Sequence, residues 1–192
     1  MTPLEELDDG FAWYRAARDS LTRMRRLGDR HWDGLPWDGP LGRDDKFKEV
    51  ESGKVTAEAV KALARLDELA VTVLFSIFEG AVRTAVVEQV RQASAALSHP
   101  VLRGAARDAA EAIDRGSFAA VLRAYSRGGH ADAAEKVRQV RRYRNWISHG
   151  RRGKQLRPIP PQTVYDRLRE FLEIVSPPPP PLLLADPTAA SP

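Results

Sequence analysis

Residues 56–97, TAEAVKALARLDELAVTVLFSIFEGAVRTAVVEQVRQASAAL, read as one long helix. Apolar side chains at Leu63, Leu66, Ala70, Val73, Leu74, Ile77, Ala81, Val82 and Val86 recur every three or four residues, the period of a helix face. Thr56 can cap its start, with Glu58 in the first turn. Pro100 is expected to end it. Near the middle the helix is apolar almost all round, which requires neighbours on several sides. The run LAVTVLFSIF (69–78) is too short to span a bilayer and belongs to this longer amphipathic pattern. A helix of this kind is the spine of a helical bundle.

Working outward, the rest of the chain supplies its partners. Residues 3–27 predict a helix with Thr2 as cap and Pro3 at the first position. Its face is Phe11, Tyr14, Leu21, Met24 and Leu27; Gly10 weakens its start and Gly28 is expected to stop it. Residues 100–115 and 117–127 predict two shorter helices, the second capped by Ser117, and Gly128-Gly129 breaks the chain after them. Residues 131–149 predict another, ended by Gly150. Residues 161–175 predict a last amphipathic helix starting near Pro161. No stretch alternates as a strand would. The fold class is therefore all-α: a bundle of about five to six helices with a long Trp/Gly/Pro-containing insert near the N-terminus.

The expected organisation has three parts. Residues 1–55 hold the first helix and the insert, packing on the bundle; 56–175 form the bundle; 176–192 are expected to form a Pro-rich disordered tail. In the insert, WDGLPWDGP (32–40) joins turn-forming Asp-Gly pairs to proline. Its two tryptophans either staple the loop to the bundle or stack on bases, and stapling is the commoner use of such rings. The tail opens SPPPPP, which leaves the helix as polyproline II; it reads as a linker rather than a proline-motif ligand.

Composition narrows the function. Hydrophobic residues are 43% of the 192 and charged residues 29%, as in soluble globular proteins. There is no cysteine, which excludes disulfides, thiolate catalysis and Cys-based zinc sites. The acidic opening MTPLEELDDG lacks the apolar core of a signal peptide. These features predict a soluble cytoplasmic protein without a membrane partner. His31, His99 and His130 show no metal-ligand spacing, and neither a P-loop nor G-x-G-x-x-G is present. No metal and no cofactor is expected.

The formal net charge of +4 conceals an uneven distribution. Between 138 and 157 stand eight basic residues (Arg138, Arg141, Arg142, Arg144, Arg151, Arg152, Lys154 and Arg157) and no Asp or Glu. Such a field draws anions, nucleic acid above all, with a salt-dependent affinity. The plainer reading is a solvated helix end whose cations offset the macrodipole. On the wheel of 131–149, Val137, Val140, Tyr143 and Ile147 form the core face, with Trp146 at its edge. Arg138, Arg141, Arg142, Asn145 and His149 gather opposite. Asn145 and His149 are four apart, so their side chains can meet. Arg144 lies beside the core face, roughly 140° from His149 on an ideal helix. It can pair with Glu79 of the long helix if that carboxylate faces the bundle.

Arg144-Asn145-Trp146-Ile147-Ser148-His149 resembles the R-N-x-x-x-H form of the Rx4–6H motif of HEPN domains. Many members of that family are metal-independent ribonucleases of toxin–antitoxin, abortive-infection and CRISPR systems. The late motif helix followed by one more helix, and the Phe78-Glu79-x3-Arg83 stretch of a long preceding helix, extend the resemblance over 56–175. The resemblance implies catalytic roles for Arg144, Asn145 and His149 and a supporting role for Glu79. It implies cleavage of RNA by its own 2′-OH, a homodimer whose two motifs face one cleft, and a toxin or antiphage role with a cognate antitoxin or defence partner. Arg138, Arg141, Arg142, Arg151, Arg152 and Lys154 would then hold RNA. In members paired with a nucleotidyltransferase a modified Tyr stands two residues after the His; here Arg151 stands there.

The chemistry suits these residue types. A histidine titrating near neutrality gives or takes a proton. An arginine presents a fixed fork to phosphate oxygens. His149 as a mere helix cap is the plainer alternative, and Ser148 is a helix-end filler without a triad. Two other functions compete with cleavage: a non-catalytic HEPN-like protein binding RNA, nucleotide or a partner, and a helical scaffold indifferent to nucleic acid.

Overall fold

The computed structural model describes residues 2–152 and 155–176. Those residues form six α-helices, three short 3-10 turns and no strand. The spine is α2 (Ser52–Ala95), 44 residues and about 66 Å long at the standard rise. It packs against α1 (Pro3–Arg30), α3 (Pro100–Arg115), α5 (Ala131–Ser148) and α6 (Pro161–Val175); α4 (Phe118–Ala124) joins α3 to α5.

The nearly all-round apolar centre of α2 meets partners on several sides, as its pattern demands. Val71, Leu74, Phe75, Phe78 and Val82 are all but inaccessible. Phe118 of α4 stands edge-on to both Phe75 and Phe78 at 5.8 Å, and Phe171 of α6 meets Phe78 at the same distance. Edge-to-face pairs of this kind add specificity to the burial that drives the core. Leu7, Phe11 and Tyr14 of α1 belong to that same core. By length and composition alone α2 could cross a membrane, carrying an 18-residue window of mean hydropathy 1.6, 44% of it buried in this fold. The run 69–78, taken in isolation, is too short to reveal that.

Several boundaries differ from the sequence expectations, for physical reasons. The Thr2 capping box at α1 forms with Glu5. Gly28 does not stop the helix: it is buried inside α1, and a methyl there would stand 2.6 Å from Thr56 Oγ1 and 3.0 Å from the Ser52 carbonyl. Two backbones approach closely at this point, which only glycine allows. Thr56 is accordingly inside α2, which starts four residues earlier. Gly10 is also an approach point, where an added methyl would stand 2.7 Å from Ile77 Cδ1. Pro100 opens α3 rather than ending α2, with His99 as cap accepting from the Val101 N–H. The fourth helix is shorter than 117–127, and Ser117 makes no side-chain cap.

In the insert, Trp32 is buried and Trp37 leans on it with ring centroids 4.9 Å apart. The Trp37 indole N–H donates to the Trp32 carbonyl at 2.9 Å. The tail expected from 176 lies, from 177 on, outside the described residues.

Candidate nucleic-acid site at the end of α5

The core face of α5 is as expected: Val137, Val140 and Tyr143 are buried. Arg144 sits at the edge of that face. Its guanidinium lies over the Phe75 ring, 4.7 Å from the centroid. Nη2 donates to Glu79 Oε2 at 3.0 Å and Nη1 to Asn145 Oδ1 at 3.1 Å, while Nε is buried without a partner. Glu79 Oε1 accepts from Arg83 Nη2 at 2.8 Å. Arg83 also donates to the carbonyls of Ile113, Asp114 and Gly116 at the end of α3, tying that helix end to the spine. One carboxylate thus serves two arginines in a region only about a quarter exposed, Arg144 at 25% and Glu79 at 24%. The cluster keeps one net positive charge, which favours an anion nearby.

His149 is the C-cap of α5 and its side chain is exposed, with no hydrogen bond among the described residues. The helix ends in a Schellman arrangement. The Gly150 N–H donates to the Ile147 carbonyl at 3.1 Å, and the Arg151 N–H to the Trp146 carbonyl at 2.8 Å. Gly150 at φ 73° and Arg151 at φ 59° are both left-handed. No side-chain hydrogen bond joins Asn145 to His149 among the described residues; the Asn145 amide oxygen accepts from Arg144 instead.

The basic cluster divides in two. Arg138 donates to Glu135 at 3.1 Å, to the Leu122 carbonyl at 3.3 Å and to Ser126 Oγ, so it holds α5 to α4. Arg142 pairs with Glu135 at 2.8 Å. Arg151 pairs with Glu68 of α2, whose carboxylate raises the guanidinium pKa further. The missing acids of 138–157 are therefore supplied from outside the window. Arg141 and Arg152 have no ionic partner among the described residues, and Lys154 lies outside them. Tyr143 is pushed above the ordinary phenol value, by burial first and then by Glu68.

Clefts flank this helix end. One of about 510 Å³ is lined by Phe11, Tyr14, Arg18, Asp67, Tyr143 and Pro160 among others. Across the 158–160 segment lies another of about 630 Å³, lined by Gln139, Arg142, Tyr143, Arg157, Thr163 and Arg167 and by that segment. A third, apolar one of about 550 Å³ includes Leu21, Leu66, Leu69, Thr72 and Ile147. None of the three is lined by Arg144, Asn145 or His149. Among the described residues no three His, Asp or Glu side chains gather as metal ligands would. Comparisons with protein-family models, curated proteins and solved structures find no match to this chain.

Sequence reasoning missed two side-chain triads. Tyr14 donates to Asp67 at 2.8 Å and accepts from Arg18 at 2.8 Å. Tyr165 donates to Asp8 at 2.6 Å and accepts from Arg169 at 2.7 Å. The pairs Tyr14/Arg18 and Tyr165/Arg169, each four apart on a helix, are visible signals in the sequence; their aspartates are not.

Proposed function

We propose that the chain is a metal-independent endoribonuclease of HEPN type that acts as a homodimer, its motif being Arg144, Asn145 and His149. The observation that carries this reading is the pairing of a fixed cation with a free imidazole at one helix end. Arg144 is held by Glu79 and Asn145 in a cluster of net positive charge, and His149 is exposed and unpartnered among the described residues. In the reaction, the RNA 2′-oxygen loses its proton to a His149 and attacks the adjacent phosphorus. The P–O5′ bond breaks, and a second His149 protonates the departing 5′-oxygen. Arg144 stabilises the charge that grows on the phosphate oxygens.

A single helix cannot supply two histidines, and a second copy can. Leu69 is 51% exposed and lines an apolar cleft beside Ile147, which offers a second copy a surface next to the motif. A growth-inhibiting or antiviral role under the control of a partner protein accompanies this reading. A second reading, a non-catalytic HEPN-like protein that binds RNA or nucleotide, draws on the extent to which Arg144 is already engaged by Glu79, Asn145 and Phe75.

The test is cleavage of a mixed-sequence RNA in EDTA by the parent and by His149→Ala, with matched thermal melts. Cleavage by the parent alone is expected. Activity surviving the substitution removes His149 from the chemistry. RNA binding without cleavage in either protein favours the second reading.

A further inference from the structure

The cleft between α5 and α6 differs from its neighbour across the 158–160 segment in charge. Its lining includes Arg142, Arg157 and Arg167 and no carboxylate, whereas the adjoining cleft includes Asp19 and Asp67. Arg167 reaches across from α6 to donate to the Gln139 amide oxygen at 3.0 Å, a neutral partner that leaves its charge uncompensated. Arg157 is exposed, with no ionic partner among the described residues. Arg142 is the one cation of the three with a carboxylate, Glu135. Thr163 and Gln139 add polar groups, and Leu156, Pro158, Ile159 and Pro160 give the cleft an apolar wall. Three arginines, an apolar wall and a volume of about 630 Å³ suit phosphates with a base beside them.

The position matters as much as the lining. Arg142 and His149 are seven residues apart on α5, two turns on one stripe, so roughly 10 Å separates them along the axis. A strand held in the cleft by its phosphates can therefore continue toward His149.

We propose that the α5–α6 cleft, through Arg142, Arg157 and Arg167, binds the phosphates of a single RNA strand that runs on toward His149. The inference rests on the reading of the α5 end as an RNA site. It moves the anion contacts from Arg138 and Arg151, which the fold engages, to Arg157 and Arg167, which have no carboxylate among the described residues, and keeps Arg142 although Glu135 pairs with it.

The experiment uses the full chain carrying His149→Ala, in EDTA, with a short fluorescein-labelled single-stranded RNA read by anisotropy across a salt series. Arg157→Glu with Arg167→Glu is compared with Arg103→Glu with Arg107→Glu on α3, an equal change of charge elsewhere. The cleft pair is expected to weaken binding about tenfold or more beyond the control and to lower the salt slope by about 1.4, two phosphate contacts at the single-strand value. Equal weakening by both pairs overturns the proposal. If the double reversal melts early, Arg157→Gln alone, on an exposed loop, must still weaken binding more than Arg103→Gln. Adenosine monophosphate is the competitor: displacement only at concentrations far above the RNA supports a strand site, and displacement at equal concentration assigns the cleft to free nucleotide instead. Unchanged RNA affinity in the cleft pair, beside cleavage by chains with His149 intact, sinks the cleft and spares the nuclease. Cleft-dependent binding without cleavage does the reverse.

Discussion

Glu79 sits between Arg83 at 2.8 Å and Arg144 at 3.0 Å, and its loss leaves two enclosed cations facing each other. Glu79→Gln keeps the shape and removes the charge. It is expected to lower stability by about 1.5–3 kcal/mol in urea unfolding, the range for hydrogen bonds to charged groups. Arg141→Ala, which breaks no ion pair among the described residues, should stay within about 0.5 kcal/mol of the parent. A shift of similar size in both would mean that the Glu79 pairs are as weak as open surface pairs. The helix end gives a cleaner backbone test. Gly150 lies at φ 73° with open space where a methyl would go, so Gly150→Ala adds strain and no clash. A loss of about 1–2 kcal/mol is expected, and none would mean the left-handed turn relaxes away. At this scale the sequence is partly readable. The wheel puts Arg144 at the core edge because one helix has a fixed period. It cannot show that Asn145 turns to Arg144, or that Glu68, 83 residues before Arg151 in the chain, neutralises that arginine.

Between elements, two glycines of α1 make different predictions from the same cause. Both stand where α1 approaches α2. At Gly10 the nearest atom to an added methyl is the tip of Ile77, which can move; at Gly28 it is Thr56 Oγ1, with the Ser52 carbonyl and the Thr56 nitrogen behind it at 3.0 and 3.1 Å. Gly10→Ala gains about 1 kcal/mol of helix propensity, offset by the shift of Ile77, and should come out near neutral. Gly28→Ala presses on backbone that cannot rotate away and should lose about 1–3 kcal/mol. Thermal melts of the two variants decide it, and equal losses would deny the difference between side-chain and backbone neighbours. The same pair shows why helix bounds are only partly legible. Local signals place the starts of α3 and α6, since Pro100 and Pro161 act within their own first turns. Gly28 reads as a stop because propensity is all that a single helix shows, while its use here depends on another helix.

For the whole molecule, the all-α class follows from period alone, and the ties that close the bundle do not. Tyr14 joins α1 to α2 through Asp67, and Tyr165 joins α6 to α1 through Asp8. These partners are 53 and 157 residues apart, beyond any local pattern. Both phenols are raised above the ordinary value of 10.0, by burial first and then by the aspartate hydrogen bond, with the arginine pulling the other way. Tyr125 and Tyr143 are raised by burial as well. In the unfolded chain all four ionise near 10.0, whereas the folded chain holds their protons to higher pH. Their contribution to stability is therefore complete below that value and is lost as pH rises through the folded pKa values. The melting temperature should fall on the alkaline side of 10.0. The double variant Tyr14→Phe with Tyr165→Phe starts lower near neutrality, having lost the four hydrogen bonds that the two hydroxyls make, each of about 1 kcal/mol. It should then fall less steeply with pH, because two of the four responsible protons are gone. Parallel declines of parent and variant would place the alkaline loss in general charge repulsion and not in the tyrosines that fasten α1 to its neighbours.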